Sequence, residues 1–353
     1  MTEASAPKPT PLLQTAAPRT WAAALGLGSL VFLAALLGIL GRPTGFLSAI
    51  WPANALLLGL LLHRPDWLRP SSVLAISAAY IAADLLTGSR LDVAILLSIA
   101  NMAGVGAAWA LMHRQRHATL FMQRQSSALL LFVGSGLGAL TAALLGAPVL
   151  SAVFGTPHWQ AFSMWLSSEW LNYMMFLPIV LAWPTRKQPV GHLGEPSPLR
   201  RILPLLSVIA LEAISYWIKG PGSLAFSLPA LIWCALSYRI FSLTLITATL
   251  CLSSIIFISL GTLEFTPAHF LETLSFRMGL CMLVLGPLAV AGSHMARNEL
   301  MQKLSHAVNH DFLTDMLARG AFMKQGQRIL ERCRQDGQPF AILMLDLDHF
   351  KQI

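Results

Sequence analysis

"WAAALGLGSLVFLAALLGIL", residues 21–40, carries no charged side chain along its whole length. A hydrocarbon slab takes about 20 such residues as a helix, because each adds about 1.5 Å and every backbone N–H must find its carbonyl within the segment. A cleavable leader has a shorter apolar core with a small-residue cut site behind it. Here "GRPTG" comes next, so the run reads as a retained first membrane helix. Residues 1–20 in front of it are rich in Pro, Ala and Thr and read as a disordered tail.

The same texture continues outward. Apolar segments fall near 46–62, 71–88, 92–112, 127–151, 159–183, 202–218, 224–240, 242–263 and 270–295, and the pair 224–240 and 242–263 is joined tightly enough to form one re-entrant unit. The 353-residue chain is 55% hydrophobic and 11% charged, with mean hydropathy +0.63; soluble domains carry about 25% charged residues. Residues 21–295 therefore read as an all-α polytopic membrane bundle of roughly eight to ten transmembrane helices.

The net charge of +8 points to membrane orientation and not to nucleic acid. With ten spans and the N-terminus inside, one side holds Lys8, Arg19, Arg64, Arg69, Arg114, Arg116, Arg124, Arg186, Lys187, Arg200, Arg201 and Arg239. The other side holds Arg42, Arg90 and Lys219. Positive charge collects on the cytoplasmic face, so both termini are expected in the cytoplasm. Loops on the far side are too short to form an external sensor domain. Cys234, Cys251 and Cys281 lie in apolar segments and Cys333 on a later helix, without metal spacing or a disulfide framework.

Ionisable groups in hydrocarbon are costly and are usually paired or functional. Glu169 and Asn172 lie three apart on one face of "WLSSEWLNYMMFLPIVLAWP"; Glu212 is central in "VIALEAISYW"; Arg277 in "LSFRMGLCM" is placed to neutralise one of these acids. Asp84 and Asn101 add polarity near segment ends. Three readings stay open for this set: interhelical bonds that fix packing, a sensory ligand pocket, or a proton or ion path. Tryptophans at 51, 109, 165, 170, 183 and 233 fit interfacial anchors. Met174 and Met175 fit core filling.

Two features resemble the MASE1 family of bacterial membrane sensor domains. One is Trp51-Pro52-Ala53-Asn54 opening a span; the other is the span holding Trp165, Glu169, Trp170 and Pro178 and ending in "AWP" at 182–184. The family usually has Asp near Glu169 and "PP" or "PA" after the first Trp, so the match is partial. Such domains stand before cytoplasmic signalling modules, often diguanylate cyclases or histidine kinases.

From Ala296 the composition turns polar. Leu300, Leu304, Ala307 and Val308 recur at helical spacing, so residues 296–310 read as an amphipathic signalling helix that links the bundle to the C-terminal segment. A second helix carries Phe322, Ile329, Leu330 and Cys333 on one face; "DGQP" (336–339) ends it, and "FAILMLDL" (340–347) reads as a buried strand. This order resembles the start of a GGDEF domain, the diguanylate cyclase fold, over residues 311–353. The pattern D-x-L-T-G-L-x-N-R-R-x-F is met at Asp311, Leu313, Thr314, Arg319 and Phe322, with Asp315 in place of Gly, Met316 of Leu, Ala318 of Asn and Gly320 of the second Arg. The pattern L-D-(L/I)-D-x-F-K-x-I is met from Leu345 to Ile353 without a break. His306 and His310 in "SHAVNHDFLTD" lack the residue pattern found after a histidine kinase's phospho-accepting His.

The resemblance implies an incomplete cytoplasmic α/β GGDEF fragment behind the bundle. It implies Mg²⁺ held by the Asp346 carboxylate and the Leu347 carbonyl, and GTP phosphates received by the amides of His349 and Phe350 and by Lys351. Asp348 is left to cap the turn. The family's guanine-reading residues and GGDEF hairpin would lie past Ile353, so residues 1–353 alone are not expected to turn over GTP. The implied protein is a multi-pass diguanylate cyclase of the bacterial inner membrane, with the lipid bilayer and a second copy of itself as partners, joining two GTP into cyclic di-GMP and two pyrophosphates. Two alternatives remain: a non-catalytic membrane signalling or interaction protein with a degenerate GGDEF remnant, and a transporter. The absence of visible inverted halves weighs against the last.

Overall fold

The computed structural model describes residues 17–41, 50–184, 198–218, 222–259 and 270–345. The chain divides after Met295 into two compact units.

The first unit is helical throughout the described residues. Its helices are α1 (Ala17–Leu40), α2 (Ala53–His63), α3 (Pro70–Leu86), α4 (Leu91–Met112), a single turn α5 (His117–Leu120), α6 (Ser126–Phe154), α7 (His158–Leu181), α8 (Pro198–Ile218), α9 (Leu228–Ser237), α10 (Ile240–Ser259) and α11 (Phe270–Asn309). Short 3-10 turns at Pro65–Trp67 and Ser223–Ser227 precede α3 and α9. Proline sits in the first turn of α3 and of α9, where its missing N–H would have had no helical partner. Gly155 closes α6 in the left-handed conformation at φ 65°, which glycine adopts without strain.

Among the described residues, five helices are long and apolar enough to cross a membrane, over Trp21–Leu40, Leu91–Met112, Ser126–Phe154, Ile240–Ile258 and Phe270–Asn309. The expected span over 46–62 is cut down. Helix α2 begins only after Pro52 and runs 11 residues, about 16 Å at 1.5 Å per residue and short of a hydrocarbon slab. Residues 46–49 of that segment lie outside the described residues.

The first unit is apolar on both its inside and its outside. Leu33, Leu37, Leu144, Ile209 and Trp217 are exposed on its outer faces, as suits side chains that meet lipid. Inward faces mix large apolar residues such as Leu57, Leu58 and Met174 with small and polar ones. Helix α4 packs on α6, α6 on α7, α1 on α3, and α2 lies between α4 and α7. The α4–α6 approach rests on glycine: a Cβ on Gly104 would stand 2.8 Å from the Gly138 carbonyl oxygen, and one on Gly138 would stand 3.0 Å from the Gly104 oxygen. Small residues let membrane helices come this close, and dispersion then replaces the hydrophobic effect as the force between them. Cys234, Cys251 and Cys281 are buried free thiols, and Cys333 is a half-buried one.

In the second unit, α11 ends at Asn309, a turn comes next, and α12 (Arg319–Asp336) is closed by Gly337 at φ 65°. The expected strand is not seen. Residues 340–345 hold no regular structure, and Leu343, Met344 and Leu345 are exposed. A strand is defined by its partner's hydrogen bonds, and among the described residues the β pairing consists of one isolated antiparallel bridge between His310 and Leu317. The α/β character expected of this part is therefore absent from the described residues.

Candidate functional site

The polar residues of the first unit converge on Asn54. Pro52 and Ala53 start α2 so that Asn54 lies in its first turn, 1% exposed and facing α3, α4 and α7. Its amide nitrogen donates to Asn101 Oδ1 on α4 at 2.9 Å and to Glu169 Oε1 on α7 at 2.6 Å. Its amide oxygen accepts from the Tyr80 hydroxyl on α3 at 2.5 Å. One side chain thus ties four helices together. Each of the three partners is buried.

A second bond runs beside the first set. Asn172, one turn along α7 from Glu169, accepts from the Trp51 backbone N–H at 2.6 Å and donates to the Ser168 carbonyl at 2.8 Å. It therefore holds the chain just before α2, where a helix N-terminus leaves backbone donors without intrahelical partners. Tyr173, fully buried next to Asn172, has a hydroxyl without a partner among the described residues. Buried hydroxyls are nearly always bonded, so this oxygen marks the knot as a place with spare hydrogen-bonding capacity.

Of the residues singled out from sequence, Asn101, Glu169 and Asn172 belong to this arrangement. Asp84 is buried on α3 one turn beyond Tyr80, and its backbone carbonyl receives the Thr87 hydroxyl at 2.9 Å and the Ser89 N–H at 3.0 Å. Glu212 lies elsewhere, accepting from Ser227 at 2.6 Å and Ser254 at 3.1 Å. The expectation that Arg277 neutralises an acid is corrected. Its guanidinium donates to the Met164 carbonyl at 3.0 Å and Ser167 Oγ at 3.5 Å, and among the described residues neither Glu169 nor Glu212 forms an ion pair with it. Backbone carbonyls are sufficient acceptors for a buried guanidinium. Tyr80 and Tyr173 escaped the sequence reading because tyrosine at a span is ordinary. Asn54 appeared there only inside a motif, although an asparagine beside a helix start is a polar signal in its own right.

In the second unit, Asp311 organises the turn before α12. Its Oδ1 accepts from the Leu313 amide at 3.1 Å, the Thr314 amide at 3.0 Å and the Thr314 hydroxyl at 2.9 Å. These bonds hold the Asp311 carboxyl below the usual carboxylate range. Asp315 takes the left-handed conformation at φ 56°, where the family pattern has glycine. That conformation is one glycine adopts without strain. Asp346, Leu347, Asp348, His349, Phe350 and Lys351 lie outside the described residues.

The comparisons with known proteins agree with the C-terminal reading. Residues 308–353 match the family described as diguanylate cyclase, GGDEF domain. The chain is 28% identical over 320 residues to the "Probable diguanylate cyclase DgcF" of Escherichia coli O157:H7, covering 87% of this chain and 64% of that protein. It is 29% identical over 201 residues to the protein of the same name from Escherichia coli strain K12, covering 54% of this chain and 58% of that protein. The chain therefore spans less than two thirds of these relatives. No solved structure matches it.

Proposed function

We propose that this chain is the membrane input part and catalytic-domain start of a diguanylate cyclase, which joins two GTP into cyclic di-GMP with release of two pyrophosphates. The observation that carries the reading is the GGDEF match at residues 308–353, supported by two relatives bearing the diguanylate cyclase name. The relatives extend beyond the matched region, so the activity belongs to the whole gene product that contains these residues. The membrane part, 21–295 with eight to ten spans, is of MASE1 type in this reading. Residues 296–310 act as the signalling helix and both termini are cytoplasmic, in a bacterial inner membrane. The exposed stripe of Leu300, Met301, Leu304 and Val308 supports a homodimer through this helix, since apolar side chains at helical spacing seek a partner face. Two cyclase domains, each holding one GTP, would then meet.

Asp346 and the Leu347 carbonyl offer hard oxygen donors, the set that suits Mg²⁺, and are the residues that would hold it. When bound, the ion neutralises triphosphate charge. The amides of His349 and Phe350 and the Lys351 ammonium then receive phosphate oxygens as donors, orienting one GTP toward its partner's 3′-hydroxyl.

The knot at Asn54 supports the sensory role more than the transport one. It joins four helices through neutral amides, the Tyr80 hydroxyl and a single carboxylate, and Tyr173 offers an unused hydroxyl, so a small polar cue could exchange with existing bonds. The testing experiment expresses the whole gene product in membranes and measures cyclic di-GMP from GTP and Mg²⁺. Turnover that Asp346→Ala abolishes supports the reading. GTP binding without turnover in the parent protein would leave the non-catalytic signalling reading in its place.

A further inference from the structure

We infer that His306, His310 and Asp315 form a binding site for a divalent transition-metal ion of the zinc class, set where α11 gives way to the turn before α12. Their ligating atoms all lie within 4.8 Å of one another. The two histidines are four residues apart, His306 in the last turn of α11 and His310 just past its end. The His310 N–H donates to the His306 carbonyl at 2.9 Å, so both belong to the same helical turn. Their rings lie 4.1 Å apart and nearly parallel. The chain then reverses through the His310–Leu317 bridge and carries Asp315 back over the rings. Asp315 Oδ1 stands 2.8 Å from His306 Nε2 and 3.9 Å from His310 Nδ1, while His310 Nδ1 lies 2.8 Å from the Asp315 backbone carbonyl, which leaves His310 Nε2 as that ring's ligand atom.

Two imidazoles spaced i, i+4 on a helix, with a carboxylate as third donor, are the arrangement by which proteins hold zinc while leaving a fourth position to water. Mixed nitrogen and oxygen donors favour zinc, nickel or copper over magnesium and calcium, which take oxygen alone. The plainer alternative is an exposed His–Asp pair, worth little in water. The placement weighs against it: the reversal at Asp315, φ 56°, sets one carboxylate against two histidines at once. Metal held there would clamp the end of α11 to the turn organised by Asp311, stiffening the joint ahead of α12. The site lies apart from Asp346 and its neighbours in sequence and does not depend on the cyclase reading.

The test uses the full chain in detergent micelles, stripped with chelator and titrated with Co²⁺, then with Zn²⁺ in competition. The expected result is one saturable Co²⁺ per chain with a visible ligand-field band that Zn²⁺ displaces. His306→Gln and Asp315→Gly should each weaken binding by at least about tenfold, since loss of even an outer partner costs a metal site that much. Asp315→Gly is the decisive variant, because glycine accepts the positive φ and the turn keeps its form. His158→Gln, remote in sequence, should change nothing. Full affinity retained in Asp315→Gly and His306→Gln, or no ligand-field band in the parent chain, would overturn the inference.

Discussion

Replacing Asn54 by leucine, which is close in size, removes the hub of the buried knot while leaving little cavity. Three bonds go at once: two donated at 2.9 and 2.6 Å and one accepted at 2.5 Å. Interhelical side-chain bonds in membranes average about 0.6 kcal/mol each, which puts a lower estimate near 2 kcal/mol. Tyr80, Asn101 and Glu169 are then left buried with one partner fewer, at about 1–3 kcal/mol for each group that finds no replacement. Some relaxation will occur, so the expected loss is about 2–5 kcal/mol. Reversible unfolding of the full chain from mild detergent into SDS, followed by circular dichroism, measures it. A double-mutant cycle with Asn101→Leu should show coupling of at least about 0.5 kcal/mol, as bonded neighbours do. A loss under about 0.5 kcal/mol in Asn54→Leu, with no coupling, would refute the hub: the bonds would then be incidental to the packing of α2, α3, α4 and α7.

Other outcomes rest on the same geometry. Gly104→Ala should destabilise the chain by about 1–3 kcal/mol through overpacking, because its Cβ would meet Gly138 backbone at 2.8 Å. Gly106→Ala, with open space around the new methyl, should be neutral or slightly stabilising in the same SDS titration. The Asp311 carboxyl is held below its unfolded value by its three bonds, so its contribution to the turn is complete above the unfolded pKa and is lost as pH falls through the folded one. Hydrogen exchange at the Leu313 and Thr314 amides should accordingly rise, relative to unfolded peptide, only at acid pH, and Asp311→Ala should bring the fast exchange to neutral pH. Exchange in that variant equal to the parent's would show that the turn stands without its carboxylate.

Residue chemistry in order along the chain was enough to read the apolar helices, five of which among the described residues are long enough to cross a membrane, and the opening of the GGDEF segment. A charge-free run such as 21–40 has few structural options in lipid, because unbonded backbone there is prohibitive. The D-x-L-T turn is equally local: Asp311 reaches amides two and three residues ahead. The helix end at Gly337 is likewise a matter of nearest neighbours.

What tertiary structure decided is which polar residues meet. Sequence could rank Glu169, Asn172, Glu212 and Arg277 as candidates, and it suggested an acid–guanidinium pair. Only the placement of α2 between α4 and α7 shows that Glu169 answers to Asn54, 115 positions away, while Arg277 is satisfied by the carbonyl of Met164. Hydrogen bonds between helices depend on rotation and depth, and a single-residue change in either moves a side chain by about 100° or 1.5 Å. The strand expected at 340–347 is not seen over the described residues 340–345, for a related reason. Its apolar, β-prone residues supply a propensity, but a strand exists only when another chain segment supplies its hydrogen bonds. Local sequence thus determined the elements, and the contacts between distant elements determined the site.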